Sequence, residues 1–183
     1  KELQKEMNKK EAVYKQFIGE MKTLMLPAQN SVNEIIDIKP TKKSKLQRLQ
    51  LKAKEGSSKA QFRLGTIYSN GLNNIKVDKK EALKWFKKSA SSGNDKAQYN
   101  LGVFYERGES VKKNYEKSIF WFEKAANQNN AKAQYNLAVM HVNGSGVQKD
   151  LRITKYWTLK AIENDFEKAQ KLWDILNLQK IKD

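Results

Sequence analysis

The stretch Ala97-Gln98-Tyr99-Asn100-Leu101-Gly102 decides the fold, because the chain writes it more than once. AQFRLG begins at Ala60, AQYNLA at Ala133, and a decayed AQKL at Ala169, so the steps are 37, 36 and 36 residues. A fixed period of this length is the mark of stacked supersecondary units, each burying apolar surface against its neighbours. The expectation is an all-α solenoid, a right-handed superhelix of helix pairs, and with it a binding scaffold.

Working outward from the middle copy, residues 95–106 read as a first helix (A), with Ala97, Leu101, Gly102 and Tyr105 on one face. A second helix (B) runs from 114 or 115 to 127 and carries Ile119, Trp121, Phe122, Ala125 and Ala126. These steps suit 3.6 residues per turn and would fail as an alternating strand. Gly71, Gly108 and Gly144 end the A helices, and Gly56, Gly93, Asn129 and Asp165 follow the B helices. All are residue types that tolerate a positive φ. Ile75, Val111 and Val147 recur in the A–B loop as plugs, and Asp78, Asn114 and Asp150 stand where a B helix needs a cap. One extra residue in the loop 72–75 accounts for the 37-residue step. The repeat core is predicted at Leu64, Gly65, Tyr68, Trp85, Leu101, Gly102, Tyr105, Trp121, Leu137, Ala138 and Trp157.

Upstream, Leu46, Leu49 and Ala53 align with Leu83, Phe86 and Ala90, so 44–55 reads as the B helix of an incomplete first unit. The solenoid is therefore predicted over 44–183, with main units from about 58, 95 and 131 and a terminal capping helix from Phe166. Residues 1–43 form a separate N-terminal region. Within it, Leu3, Met7, Tyr14, Phe17, Ile18, Met21, Leu24 and Met25 make an apolar stripe over 1–26 that Pro27 closes. Such a helix suits a solenoid cap or a partner-binding arm, with a dimer helix or a linker from a membrane anchor as alternatives.

Composition narrows the function. There is no Cys, hence no disulfide framework and no thiolate metal site. No apolar run reaches the length of a membrane span, and the chain begins at Lys, which leaves room for a cleaved export signal. The net charge is +16. It is carried mostly by Lys spread over the whole length, a pattern that favours an acidic protein partner or membrane face over nucleic acid, whose phosphates are more often met by clustered Arg.

The repeated positions resemble the Sel-1-like repeat, a relative of the tetratricopeptide repeat. The resemblance rests on Lys96 to Gly102, Tyr105, Gly108, Val111, Asn114 to Lys117 and Trp121 to Ala126 in the middle unit. In the flanking units it rests on Leu64-Gly65, Tyr68, Gly71, Ala82, Trp85 and Lys88, and on Leu137, Gly144 to Val147, Trp157 and Ala161. The chain departs from the pattern at Ala138, which stands where Gly65 and Gly102 stand and asks for slightly looser helix packing, and at Asn129 and His141. The resemblance implies an adaptor rather than an enzyme, binding a protein partner. Members of the family include degradation-complex scaffolds, bacterial envelope or host-interaction factors, and periplasmic immunity proteins that neutralise secreted toxins. The Lys- and Asn-rich composition points to a bacterial source, with the periplasm, envelope or exterior favoured over the cytoplasm.

Catalysis finds no constellation. The only His, His141, occupies the position of two repeat tyrosines, the carboxylates are scattered, and no phosphate loop is present. No catalytic residue, metal ligand or cofactor is assigned. The positions free to encode a partner lie off the repeated core: Arg63, Thr66 and Asn70 on the first A helix, Asn100, Val103 and Arg107 on the second, Asn136, Val139 and Asn143 on the third. Within each helix they share one face, and across helices they are expected to form rows on a concave surface. A second, basic surface is expected at Lys79, Lys80, Lys84, Lys87 and Lys88, joined by Lys112, Lys113 and Lys117. Its field would speed encounter with an acidic partner.

Overall fold

The computed structural model describes residues 44–182. The predicted N-terminal helix over 1–26 and the region up to residue 43 lie outside the described residues. The described elements are all helical: α1 (Lys45–Lys54), α2 (Ser58–Asn70), α3 (Lys79–Ser91), α4 (Asp95–Arg107), α5 (Tyr115–Ala126), α6 (Ala131–Asn143), α7 (Leu151–Glu163) and α8 (Glu167–Ile175), then a 3-10 turn, Leu178–Lys180. Helices α2/α3, α4/α5 and α6/α7 are the three A/B pairs. α1 is the B helix of the incomplete unit, and the pairs stack in chain order into a solenoid.

Helix ends are set by local chemistry. Asp78, Asn114 and Asp150 cap the B helices, each accepting the backbone N–H three residues on, at 2.9, 2.7 and 3.1 Å. The Ile153 N–H is the chief reason that the Asp150 carboxyl is held below the usual carboxylate range. The A helices have caps of their own, Ser57, Asn94 and Asn130. At the other end Gly71, Gly108 and Gly144 take φ of 70, 73 and 72°, turning the chain back toward the B helix. The extra residue of the first A–B loop is absorbed by two consecutive left-handed asparagines, Asn73 and Asn74.

The core is continuous within and between units, and Ala60, Leu64 and Ile67 of α2 pack with Trp85 of α3 in the same unit and with Ala53 of α1. Ala82, Leu83, Phe86 and Ala90 of α3 close over Ala97, Leu101 and Phe104 of α4. Ile119, Phe122, Ala125 and Ala126 of α5 do the same with Ala133, Leu137 and Met140 of α6. A single unit would leave the apolar surface that faces its neighbours in water. Phe86 and Phe122 are the largest fully buried side chains, while Trp121 and Trp157 are half-buried at the cluster margins and only Trp85 is buried. Tyr68 and Tyr105 are likewise half-buried. In the middle unit Trp121 thus stays at the margin while Phe122 fills the core, whereas in the first Trp85 and Phe86 are both buried.

Gly65 and Gly102 admit those rings. A Cβ at either would stand 2.6 Å from Phe86 or Phe122 ring carbons. In the third unit Ala138 takes the glycine position, and the ring position is Thr158, fully buried and hydrogen-bonded to the Thr154 carbonyl at 2.7 Å. The expected loosening at Ala138 is met by this smaller partner, and Ala138 is itself fully buried.

The repeated glutamine is a joint. Gln61, Gln98 and Gln134 donate from Nε2 to the carbonyls of Ala53, Ala90 and Ala126, at 3.0, 3.2 and 3.0 Å, each reaching the end of the preceding unit's B helix. Gln98 and Gln134 also accept, from Gln128 at 2.7 Å and Asn164 at 3.1 Å. The equivalent residue in the first unit is Ser92, too short to reach, and the Gln61 Oε1 is buried without a partner. Ser92→Gln is expected to supply the missing donor and raise stability by about 1 kcal/mol, read as a higher urea midpoint at unchanged slope. The fourth glutamine, Gln170, is exposed and bonds Asp174 on its own helix.

Candidate functional site: the face of the A helices

Three aromatic residues directly follow the joint glutamines and shape the A-helix face. Phe62 and Tyr99 lean on the core rings Phe86 and Phe122, with centroids 6.1 and 5.8 Å apart. Tyr135, lacking such a ring at Thr158, meets Phe166 at 5.2 Å instead. All three are half-buried, one edge in the core and the other toward solvent.

Around them lie two clefts. The first, about 400 Å³, is mainly apolar: Leu46 and Leu49 of α1 face Phe62, Thr66 and Ile67 of α2, with Lys45 and Arg63 at its rim. The second, about 600 Å³, is more polar and is bounded by Phe62, Tyr99 and Phe166, with Asp95, Lys96, Asn100 and Asn130 supplying charge and hydrogen-bonding groups. Phe62 lines both, so the two clefts adjoin, and together they form a track with lining residues from α1, α2, α4 and α6. Two of its lining residues are held to each other, Asn130 Nδ2 donating to Asp95 Oδ2 at 2.8 Å. Burial, then the carboxylate of Glu106, pushes the Tyr99 phenol above the ordinary tyrosine range, against the opposing pull of Arg107 and a hydrogen bond with Asn136.

The nine positions named from sequence divide. Arg63 and Thr66 line the first cleft and Asn100 the second. Asn100 also donates to the Lys96 carbonyl at 2.7 Å, and Thr66 to that of Phe62 at 3.1 Å. Asn136 is held by Tyr99, and Val103 packs half-buried on the core, as Val139 is half-buried on α6. Arg107 pairs with Glu109 at 3.6 Å, while Asn70 and Asn143 are exposed at the helix C-termini. Tyr99 and Phe62 were missing from the set. Their recurrence one residue after the glutamine was the signal, and it reads equally well as core.

The lysines divide too. Lys79 is a structural bridge between units: its Nζ pairs with Glu109 at 2.9 Å and donates to Ser69 at 3.2 Å. Lys84 pairs with Glu81 on its own helix, and Lys88 lies 5.0 Å over the Trp85 ring. Lys80 and Lys87 are exposed. Lys112, Lys113 and Lys117 line a third cleft, of about 350 Å³, with Tyr105, Val111 and Asn114. The single histidine is buried beside the core, and its backbone carbonyl accepts the Asp150 N–H at 3.1 Å. Among the described residues no group of three metal-capable side chains is present, and no helix is long and apolar enough to cross a membrane.

Comparison with known proteins agrees with this architecture. No curated protein matches the chain. Among solved structures it is similar to a Sel1 repeat protein from Oxalobacter formigenes, with 35% identity and a TM-score of 0.60 over 63% of this chain and 45% of that one. It is also similar to c5321, a protective antigen of uropathogenic Escherichia coli, with 37% identity and a TM-score of 0.65 over 68% of this chain and 27% of that one. The chain thus spans less than half the length of either protein. Helicobacter pylori cysteine rich protein B, at 24% identity and a TM-score of 0.55 over 70% of this chain and 97% of that one, shares the fold. The Sel1 repeat model matches residues 58–94, 95–130 and 131–173, more than half of the sequence, and the chain belongs to the Sel1 repeat family.

Proposed function

We propose that this solenoid is a non-enzymatic adaptor that holds a segment of a protein partner along the A-helix face. The observation that carries the reading is that two clefts of different polarity adjoin at Phe62. One end offers apolar surface with a basic rim, suited to an aliphatic or aromatic anchor on a partner with acidic neighbours. The other offers amide, carboxylate and ammonium groups at Asn100, Asn130, Asp95 and Lys96, suited to the backbone and polar side chains of a bound peptide. Aromatic side chains at the centre of an interface, here Phe62 and Tyr99, are among the groups that usually dominate binding energy.

The test is capture of partners from lysate and envelope fractions at low and high salt, followed by affinity measurement with the purified partner. Replacing Arg63 and Asn100, which line the two clefts, together by alanine is expected to weaken the complex about tenfold with the helical circular dichroism unchanged. Unchanged affinity would sink the assignment of this face. An immunity role is the narrower form of the same reading, and it requires that a tight one-to-one complex also abolish the enzymatic activity of the partner.

A further inference from the structure

The three units share one backbone plan, so differences between their equivalent side chains separate what the fold needs from what a single unit has added. At the start of the B helix the comparison is sharp. The middle unit places Lys112, Lys113 and Lys117 around a cleft of about 350 Å³ that Tyr105 and Val111 floor. The first unit has Lys76, Val77 and Glu81 at the same positions, and the third has Gln148, Lys149 and Ile153. The capping residue follows the same trend: Asp78 and Asp150 are carboxylates, whereas Asn114 caps equally well without bringing a negative charge.

The three ammonium groups are not consumed by the protein. No ion pair joins any of them to a carboxylate among the described residues. The nearby acids are otherwise placed: Glu109 is engaged by Lys79 at 2.9 Å and by Arg107 at 3.6 Å, and Glu116 is exposed outside the cleft lining. Two of the lysines are positioned by aromatic faces. Lys113 Nζ lies 4.5 Å from the Tyr115 ring centroid and Lys117 Nζ 5.6 Å from that of Tyr105. Such contacts restrain a long flexible stem while leaving the ammonium protons free for an anion. The helix start beneath adds a favourable dipole.

We infer that this middle-unit cleft is a binding site for clustered carboxylates, that is, for an acidic segment of a protein carrying at least two neighbouring Asp or Glu side chains. The donor set is three separate point charges with no guanidinium fork, so it answers to the density of negative charge and not to the planar geometry of one oxyanion, and the phosphate arm of the test below separates the two. The site is independent of the A-helix track, because none of its lining residues belongs to either of those two clefts.

The experiment titrates the full chain into a dye-labelled hexaglutamate peptide at constant ionic strength and follows anisotropy. Three proteins are compared: the unaltered chain, a variant with Lys112→Gln, Lys113→Gln and Lys117→Gln, and a control with Lys80→Gln, Lys84→Gln and Lys87→Gln. The control removes the same charge from one exposed stripe of α3. Saturable binding that the cleft variant weakens about tenfold, and the control less than about twofold, supports the site. Equal loss in both variants, or no saturable binding, overturns it in favour of a general positive field. Inorganic phosphate or a single-stranded oligonucleotide displacing the peptide at lower concentration than free hexaglutamate also overturns it, by assigning the cleft to phosphate.

Discussion

Phe122→Ala is expected to destabilise the chain by about 3–5 kcal/mol, the largest effect of any single truncation proposed for this protein. The ring is fully buried, fits against Gly102 and supports Tyr99 at 5.8 Å. Its removal leaves a cavity bounded by rigid helix backbone that cannot collapse fully. Thr158→Ala, the same position one unit later, should lose only about 1 kcal/mol, chiefly the hydrogen bond to the Thr154 carbonyl. The contrast is measured by urea unfolding of both variants. A second signature follows from the inter-unit core. Because Phe122 belongs to the cluster that joins α5 to α6, weakening it should uncouple residues 58–130 from 131–173 and broaden the calorimetric transition. A sharp transition with a loss below about 1 kcal/mol would show that the ring is not the keystone of this joint.

Gly102→Ala adds one methyl group where no room exists. Its Cβ would stand 2.6 Å from two ring carbons of Phe122, a fully buried side chain with nowhere to move. Overpacking of this kind costs about 1–3 kcal/mol, although alanine is the better helix former by about 1 kcal/mol. The third unit contains the natural solution, Ala138 with Thr158. Combining Gly102→Ala with Phe122→Thr should therefore be less damaging than the sum of the two single changes, with a coupling of about 1–3 kcal/mol in a double-mutant cycle. Strict additivity would mean that the glycine serves backbone geometry and not the passage of the ring.

The architecture was legible because the signals that encode it are local and repeated. The period, the two-helix unit, the glycines at 71, 108 and 144 and the caps at 78, 114 and 150 each follow from the residue's own backbone chemistry, and three copies remove most ambiguity. What lies deepest in the core was less legible. Trp121 and Phe122 are adjacent, so periodicity places both near the buried face, and only the packed helices show that the phenylalanine enters while the tryptophan stays half-exposed. The groove was hardest. Sequence spacing puts Arg107 on the same face as Asn100, but an ion pair to Glu109 across the left-handed turn at Gly108 depends on where the chain goes next. Tyr99 escaped notice for the opposite reason: a recurring aromatic looks like core, and half of it is.

The glutamine joints have a wider consequence. Gln61, Gln98 and Gln134 each make the same connection to the carbonyl end of the unit before, so the stack is assembled by one rule applied repeatedly. A molecule built this way sets the reach of its surface by counting units, without redesigning any of them. Gln170, at the fourth position of the series, departs from the rule and donates to Asp174 on its own helix.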